Sequence, residues 1–255
     1  MNIFIAIALG FLQGILEWIP VSSQGIISLF LNSQGYSFVR ALDVALFLHA
    51  GTMLSVIVYF RNDFKKMLKP KSSDDLNLLY FMICATFFSL LIGGPAYLFL
   101  KSSNLNISGI NVFIGLMLFV TGALQIIRKN FNVKKKDNDA NASDGSFVGV
   151  SQGFSVIPGI SRSGITIFAL LLKGFSPQQA IRLSFIISVP VVFIESFYQL
   201  IFQGFAFELT YLVAAAIAFI VGIATIGFFI KLVKKIDFSI FCFAIGFLSI
   251  ISAIF

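Results

Sequence analysis

Long apolar segments, separated by short polar ones, dominate the chain and set its fold class. Most of these segments lack the period-2 alternation of membrane-barrel strands, and they approach the roughly 20 residues with which an α-helix crosses a bilayer. The pattern therefore predicts an all-α integral membrane protein with about six membrane-spanning helices. The predicted spans are residues 42–60, 79–100, 107–127, 178–200, 208–230 and 239–255.

Two further apolar segments, residues 3–31 and 147–173, are interrupted in the middle. The first breaks at Pro20–Gly25, and the second contains the pair Pro158-Gly159. Neither half of the first segment is long enough to cross a bilayer comfortably. We therefore predict two helix hairpins that enter the membrane and return on the same side. Such irregular backbone is tolerated where protein or a water-filled cavity surrounds it.

The two interrupted segments are related in sequence. Residues 10–26 (GFLQGILEWIPVSSQGI) and 149–165 (GVSQGFSVIPGISRSGI) align without a gap and are identical at six of 17 positions. Most identities are Gly or polar residues, so apolar composition does not account for them. Paired interrupted segments in two halves of a membrane protein indicate a site near the bilayer midplane. The identical pairs are Gly10/Gly149, Gln13/Gln152, Gly14/Gly153, Ser22/Ser161, Gly25/Gly164 and Ile26/Ile165.

Charge fixes the predicted topology. The chain is 11% charged with a formal net charge of +7, whereas a soluble domain carries roughly 25% charged residues. Its basic residues cluster in loops at 61–78, 128–146 and 231–238, which we place in the cytoplasm as topology determinants. We expect no nucleic-acid partner. Each half then has one hairpin and three spans, which inverts residues 147–255, the second repeat, relative to residues 1–127, the first, across the cytoplasmic linker 128–146.

Opposite charges lie in the two interrupted segments. Glu17 occurs in the first copy and Arg162 in the second, so a site built from both would hold a carboxylate and a guanidinium. An ionisable residue inside a membrane segment points to a functional site. Glu17 shares a helix face with Gln13, and it could act as a general base or bind a hard cation such as Mg²⁺ or Ca²⁺.

The stretch around Arg162 has the composition of a phosphate-binding loop. Its glycines free the backbone for tight turns, and its small hydroxyls can donate and accept hydrogen bonds. Backbone N–H groups at a helix N-terminus and a forked arginine suit an anion. In the first copy, Ser22 and Ser23 follow Pro20, and each could be a nucleophile, a phosphate donor or a helix N-cap.

Other polar side chains in apolar segments have less specific interpretations. His49, the one histidine, lies near the middle of the 42–60 span. It could join helices by hydrogen bonding or take part in acid–base chemistry. Asp43, Glu195 and Glu208 lie near predicted span ends, so we interpret them as solvated or interfacial.

At these motifs the sequence resembles the undecaprenyl-diphosphatase family, also called the bacitracin-resistance protein family. The first family signature, E/Q-G-x-x-E leading into P-V-S-S-x-G-H, corresponds to Gln13–Glu17 and Pro20–Ile26. The second signature, P-G-x-S-R-S-G-x-T, is intact from Pro158 to Thr166. The resemblance runs over nearly the whole chain, including the segment LHAGTMLSVIVYFRNDF.

The resemblance implies a multi-pass enzyme of the cell (plasma) membrane that removes one phosphate from a polyprenyl (undecaprenyl) diphosphate. That reaction recycles the lipid carrier for cell-envelope glycan synthesis. The resemblance also implies a divalent cation, Mg²⁺ or Ca²⁺, and an inverted-repeat fold with two re-entrant hairpins. The expected partners are the polyprenyl diphosphate lipid and the membrane, and we also consider a homodimer.

The resemblance assigns roles to individual motif positions. Glu17, Ser23 and Arg162 correspond to the catalytic positions, and Gln13 with Glu17 corresponds to the metal-binding pair. The implied substrate-binding residues are Ser22, Gly25, Gly159, Ser161, Ser163, Gly164 and Thr166.

Ile26 departs from the family pattern, because a histidine usually occupies that position. Three interpretations remain open. The enzyme works through Ser23 or a metal-bound water with Glu17 as base; His49 substitutes from a neighbouring helix; or the protein binds or translocates polyprenyl phosphates without hydrolysis. A transporter of unrelated ions or solutes is a further class, against which the intact anion-binding motif argues.

Overall fold

The structure, a computed structural model, describes residues 1–102, 107–127, 135, 139–202, 208–233 and 235–253. The regular elements of this part of the chain are helical. In chain order they are α1 (Ile3–Leu16), α2 (Ser23–Ser33), α3 (Phe38–Tyr59), α4 (Arg61–Leu68), α5 (Ser73–Ser102), α6 (Ile107–Ile127), α7 (Ala142–Gly153), a 3₁₀ turn (Phe154–Val156), α8 (Arg162–Leu172), α9 (Pro177–Phe202), α10 (Leu209–Val233) and α11 (Ser239–Ile251).

The long helices confirm an all-α multi-pass membrane protein. Five of them, α3, α5, α6, α9 and α10, are long and apolar enough to cross a bilayer. The sixth predicted span, residues 239–255, corresponds to α11, which has 13 residues; residues 254–255 lie outside the described chain. A helix of 13 residues is about 20 Å long, so α11 by itself is shorter than the hydrocarbon core of about 30 Å.

Both interrupted segments form a pair of short helices joined by irregular backbone. The first break separates α1 from α2, and the second contains the 3₁₀ turn before α8. Ser22 and Ser161, which correspond in the two copies, each cap the following helix: their hydroxyl oxygens accept from the N–H groups of Gly25 at 3.3 Å and Gly164 at 3.1 Å. The hydroxyl thereby satisfies a backbone donor that helix geometry leaves free.

Equivalent glycines bring equivalent helices into contact, which supports the internal repeat. In α1, Gly10 and Gly14 pack against α10; in α7, Gly149 and Gly153 pack against α5. A Cβ atom on Gly14 would lie 2.8 Å from the Cβ of Val221, and one on Gly153 would lie 2.6 Å from a side-chain carbon on α5. Small residues spaced four apart allow membrane helices to approach this closely. Of the predicted linker, residues 128–134 and 136–138 lie outside the described chain.

The two helix pairs that the predicted repeat relates, α3 with α10 and α9 with α5, differ in how closely they pack. Helix α3 packs closely on α10, and the Ser55 hydroxyl donates to the carbonyl oxygen of Phe219 at 3.0 Å. The helix pair that corresponds to it by the repeat, α9 of the second half and α5 of the first, lines a mainly apolar cavity of about 300 Å³. We call this space the lateral cavity. Its wall also includes Leu46 of α3 and, from the second break and the end of α7, Gln152, Gly153, Ser155 and Val156.

Candidate active site

The two hairpin breaks meet inside the protein. The backbone N–H of Gly159 in the second break donates to the Ser22 hydroxyl in the first at 3.1 Å. Gly159 has a φ of 99°, a conformation that glycine adopts without a steric cost. A Cβ atom on Gly25 would lie 2.8 Å from the nitrogen of Gly159, so the close approach needs glycine at both positions. The breaks therefore form one site.

Glu17 is the central acceptor of this site. One carboxylate oxygen, Oε1, pairs with the guanidinium of Arg162. The other, Oε2, accepts from Gln13 Nε2 at 2.8 Å and from Ser23 Oγ at 2.9 Å, and it lies 3.2 Å from His49 Nε2. The carboxylate of the first copy thus binds the guanidinium of the second, as the distribution of charges in the sequence suggested.

Gln13 donates a hydrogen bond to Glu17 from within the protein interior. Its side chain is fully buried, and its amide nitrogen reaches both Glu17 and, at 3.3 Å, the Thr52 hydroxyl. Gln13 is absent from the residues that line the pocket in front of Glu17. Its Oε1 atom is buried and has no hydrogen-bond partner. In the described part of the chain, no group of three His, Cys, Asp or Glu residues is arranged to hold a metal ion.

Arg162 is the first residue of α8, so its side chain lies beside the free N–H groups of that helix terminus. Ser161 and Ser163 line the same pocket, and their hydroxyl oxygens are 3.2 Å apart. Thr166 is turned away: its hydroxyl donates to the carbonyl oxygen of Arg162 at 2.7 Å and contacts Ser184 at 2.6 Å. Thr166 therefore stabilises the loop without facing the pocket.

The predicted residues divide into those that line the pocket and those that shape it. We call this space the polar pocket; its free volume is about 30 Å³, enough for about two water molecules. Predicted residues lining it are Glu17, Ser22, Ser23, Ser161, Arg162 and Ser163. Predicted residues outside its lining are Gln13, Gly25, Gly159, Gly164 and Thr166.

Glu195 also faces the site, so its interpretation as a solvated or interfacial residue is wrong. It is half-buried on α9 and lines both the polar pocket and the lateral cavity. Leu46, Ser155 and Val156 line both spaces as well, so the two spaces adjoin each other. In the sequence, the feature that indicated a site residue here was an acidic side chain within an apolar helix. Its position near a predicted span end led to the wrong interpretation.

Comparison with known proteins assigns the chain to a family. The family model described as "Bacitracin resistance protein BacA" matches residues 6–251. This chain belongs to the BacA family. Curated relatives named undecaprenyl-diphosphatase include those of Methanococcoides burtonii (39% identical, covering 97% of both chains), Haloarcula marismortui (33%, covering 99% of this chain and 97% of the relative) and Borrelia recurrentis (33%, covering 100% and 98%).

Ile26, the position at which the sequence departs from the resemblance, lies outside the polar pocket. Ile26 is partly buried in an apolar cluster with Leu16, Val21 and other side chains. The imidazole that faces the pocket belongs to His49 of α3, whose side chain is 9% exposed. The sequence left open whether His49 packs helices together or serves the site. The structure places it against Glu17.

Proposed function

We propose that the protein is an undecaprenyl-diphosphate phosphatase of the plasma membrane. It hydrolyses the terminal phosphate of a polyprenyl diphosphate and returns the monophosphate carrier to cell-envelope glycan synthesis. One observation carries the proposal: an arginine at a helix N-terminus and a carboxylate with an aligned serine share a pocket that adjoins an apolar cavity. Relatives named undecaprenyl-diphosphatase, which match nearly the whole chain, support the same activity.

The two adjoining spaces match the two parts of the lipid. The lateral cavity, which opens between α5 and α9, receives the start of the prenyl tail, because most of its lining is apolar. The diphosphate enters the polar pocket, where its terminal phosphate meets Arg162 and the N-terminus of α8. Helix N-termini and bidentate arginines are favourable phosphate sites.

Substrate binding must rearrange the ion pair. The polar pocket is too small for a diphosphate while Arg162 is bound to Glu17. The phosphate competes with Glu17 for the guanidinium, and when it takes Arg162, one oxygen of Glu17 loses its strongest partner. Oε1 is then free for a new partner, while Oε2 still faces the Ser23 hydroxyl.

The hydrolysis then follows from the groups that surround Glu17. Glu17 takes a proton from the nucleophile, either Ser23, whose hydroxyl is 2.9 Å from Oε2, or a water in the same position. The nucleophile's oxygen bonds to the terminal phosphorus. The bond from that phosphorus to the bridging oxygen breaks, and its electron pair leaves on the prenyl monophosphate. If Ser23 attacks, water then cleaves the phosphoserine. Arg162 stabilises the charge on the transferred group.

A divalent cation fits the charge of this pocket. Among the described residues that line it, the positive charge of Arg162 is outnumbered by the negative charges of two carboxylates, Glu17 and Glu195. The diphosphate then adds further negative charge. Oxygen donors of this kind suit Mg²⁺ or Ca²⁺. Glu17 would hold the ion, with Gln13 behind it, and the ion would neutralise charge on the phosphate oxygens.

Two further statements belong to the proposal. Translocation of polyprenyl phosphates without hydrolysis is the less favoured function, because Ser23 and Glu17 are aligned for proton transfer, which translocation does not need.

A homodimer is proposed as the oligomeric state; the measured mass of the protein in detergent, corrected for bound detergent, tests it.

Phosphate release from a long-chain polyprenyl diphosphate tests the function. The purified protein is assayed with Mg²⁺, with Ca²⁺ and with EDTA, beside Arg162→Ala and the matched control Arg61→Ala, which removes an exposed arginine far from the pocket. We expect cation-dependent release by the wild type and by Arg61→Ala, and none by Arg162→Ala. Normal release by a folded Arg162→Ala protein contradicts the scheme, and no release by the wild type favours lipid-phosphate translocation.

A further inference from the structure

Glu195 differs from Glu17 in making no hydrogen bond or ion pair with a described residue, although the charge of Arg162 acts on it. Glu17 is contacted by Gln13, Ser23, His49 and Arg162. No described residue donates a hydrogen bond to Glu195, although it is half-buried on an apolar helix. A carboxylate inside a membrane protein is costly unless it is paired. Its position on the wall of a cavity points to a partner that arrives with the ligand.

The position of Glu195 identifies that partner, on the basis of the proposed function. Glu195 lies where the polar pocket meets the lateral cavity. If the tail occupies the cavity and the terminal phosphate contacts Arg162, the first phosphate, which carries the tail, lies at this junction. A carboxylate and a phosphate side by side repel each other, and the repulsion is strong where water is scarce.

We infer that Glu195 is a ligand of the divalent cation and shares that ion with the first phosphate of the lipid. Mg²⁺ is commonly held by one or two carboxylates together with substrate phosphate oxygens and water molecules. Such a site needs no preformed group of three protein ligands. Glu195 thus makes cation binding and lipid binding depend on each other.

The test measures cation binding directly. Mn²⁺ binding to the purified full chain is followed by electron paramagnetic resonance, with and without a prenyl methylenediphosphonate, in which CH₂ replaces the bridging oxygen. Glu195→Gln keeps the size of the side chain and removes its charge. Glu208→Gln is the matched control, because Glu208 precedes α10, pairs with Arg40 and lines neither the polar pocket nor the lateral cavity.

In the presence of the analogue, we expect Glu195→Gln to weaken Mn²⁺ binding about tenfold or more, the order found when metal-site support is lost. Without Mn²⁺, the variant binds the analogue at least as well as the wild type, because a repelling charge is gone. Glu208→Gln matches the wild type in both measurements. Wild-type Mn²⁺ affinity in Glu195→Gln overturns the inference, as does loss of analogue binding without Mn²⁺, which indicates a structural role.

A second variant tests whether the Glu195 carboxylate itself binds the cation. Glu195→Asp keeps the carboxylate on a shorter side chain, and we expect it to bind Mn²⁺ more strongly than Glu195→Gln. Equal binding by the two variants contradicts the inference. The outcome is distinguishable from failure of the proposed function. If the wild type binds Mn²⁺ and the analogue through Glu195 but releases no phosphate, the hydrolase proposal fails and the cation site stands.

Discussion

Glu17 and Arg162 form an ion pair although 145 positions separate them in the sequence. Each belongs to a different copy of the interrupted segment, so the pair is also a contact between the two predicted repeats. Both side chains are largely buried, with exposed fractions of 10% for Glu17 and 17% for Arg162. Loss of either residue therefore leaves an uncompensated charge in the interior as well as an incomplete site.

Single and double variants separate these two effects. Glu17→Gln leaves Arg162 buried and unpaired, and removing one partner of a buried pair costs about 3–5 kcal/mol. Glu17→Gln/Arg162→Gln removes both charges, so we expect the double variant to be more stable than Glu17→Gln alone. The thermal midpoint in detergent measures this order.

Activity should follow a different order. Because Glu17 is the proposed base, we expect phosphate release by Glu17→Gln to fall about 10²- to 10⁴-fold, and the more stable double variant should regain none of it. Glu208→Gln serves as the control for a glutamate outside the site. Recovered activity in the double variant would show that Glu17 matters for folding alone.

The glycine contacts between helices make a separate prediction about stability. A Cβ on Gly149 would lie 2.8 Å from the Cα of Ala85, whereas one on Gly94 meets nothing within 4 Å. We expect Gly149→Ala to destabilise the protein by about 1–3 kcal/mol through overpacking. Gly94→Ala, also in a helix, should be neutral or stabilising by up to about 1 kcal/mol.

Thermal unfolding of the two alanine variants is the measurement, since both add one methyl group. Equal midpoints would mean that α7 does not approach α5 as closely as the structure indicates. The corresponding change in the first copy, Gly10→Ala, should resemble Gly149→Ala, because its added Cβ meets the backbone of α10. A marked difference between Gly10→Ala and Gly149→Ala would argue against equivalent packing in the two copies.

Much of this site could be predicted from the sequence because membrane-buried polar residues are expensive and therefore conspicuous. Glu17 and Arg162 stood out in apolar segments, and the offset between the copies identified Ser22 with Ser161 before their capping bonds were known. The orientation of side chains could not be predicted. Periodicity does not show that Thr166 turns back to its own helix, or that Glu195 points inward, since both depend on how α8 and α9 pack.

Ile26 is another residue whose orientation the sequence could not predict, and its position leads to a testable prediction. Ile26 departs from the family pattern, and its side chain packs into an apolar cluster beside Leu16 and Val21. Ile26→His would therefore place a polar ring among apolar side chains, at a cost of about 1–3 kcal/mol. We expect a lower thermal midpoint and no gain in phosphate release, with Ile26→Val as the control. Raised activity in Ile26→His would show that the pocket can recruit this position.

We expect His49, unlike Ile26, to contribute to phosphate release. Its Nε2 atom is 3.2 Å from Glu17 Oε2, so it helps to hold the proposed base. We expect His49→Leu to lower kcat about tenfold, less than the roughly 10²- to 10⁴-fold expected for loss of the proton-transfer group itself, because His49 orients the base. His49→Gln, which can still donate a hydrogen bond, should recover part of that loss. Equal kcat values for His49→Leu and the wild type would assign His49 to helix packing.

The lateral cavity predicts how the enzyme distinguishes long lipids from short ones. Ile194 lines the cavity on α9, whereas Ile220 on α10 is 61% exposed and lines neither the polar pocket nor the lateral cavity. Ile194→Trp fills space assigned to the prenyl tail, so we expect KM for a long-chain diphosphate to rise about tenfold, equivalent to about 1.4 kcal/mol. Ile220→Trp adds the same bulk toward lipid and should leave KM unchanged. Because a short, soluble prenyl diphosphate uses less of the cavity, its KM should rise less in Ile194→Trp. An equal rise for both substrates would place the tail elsewhere on the protein.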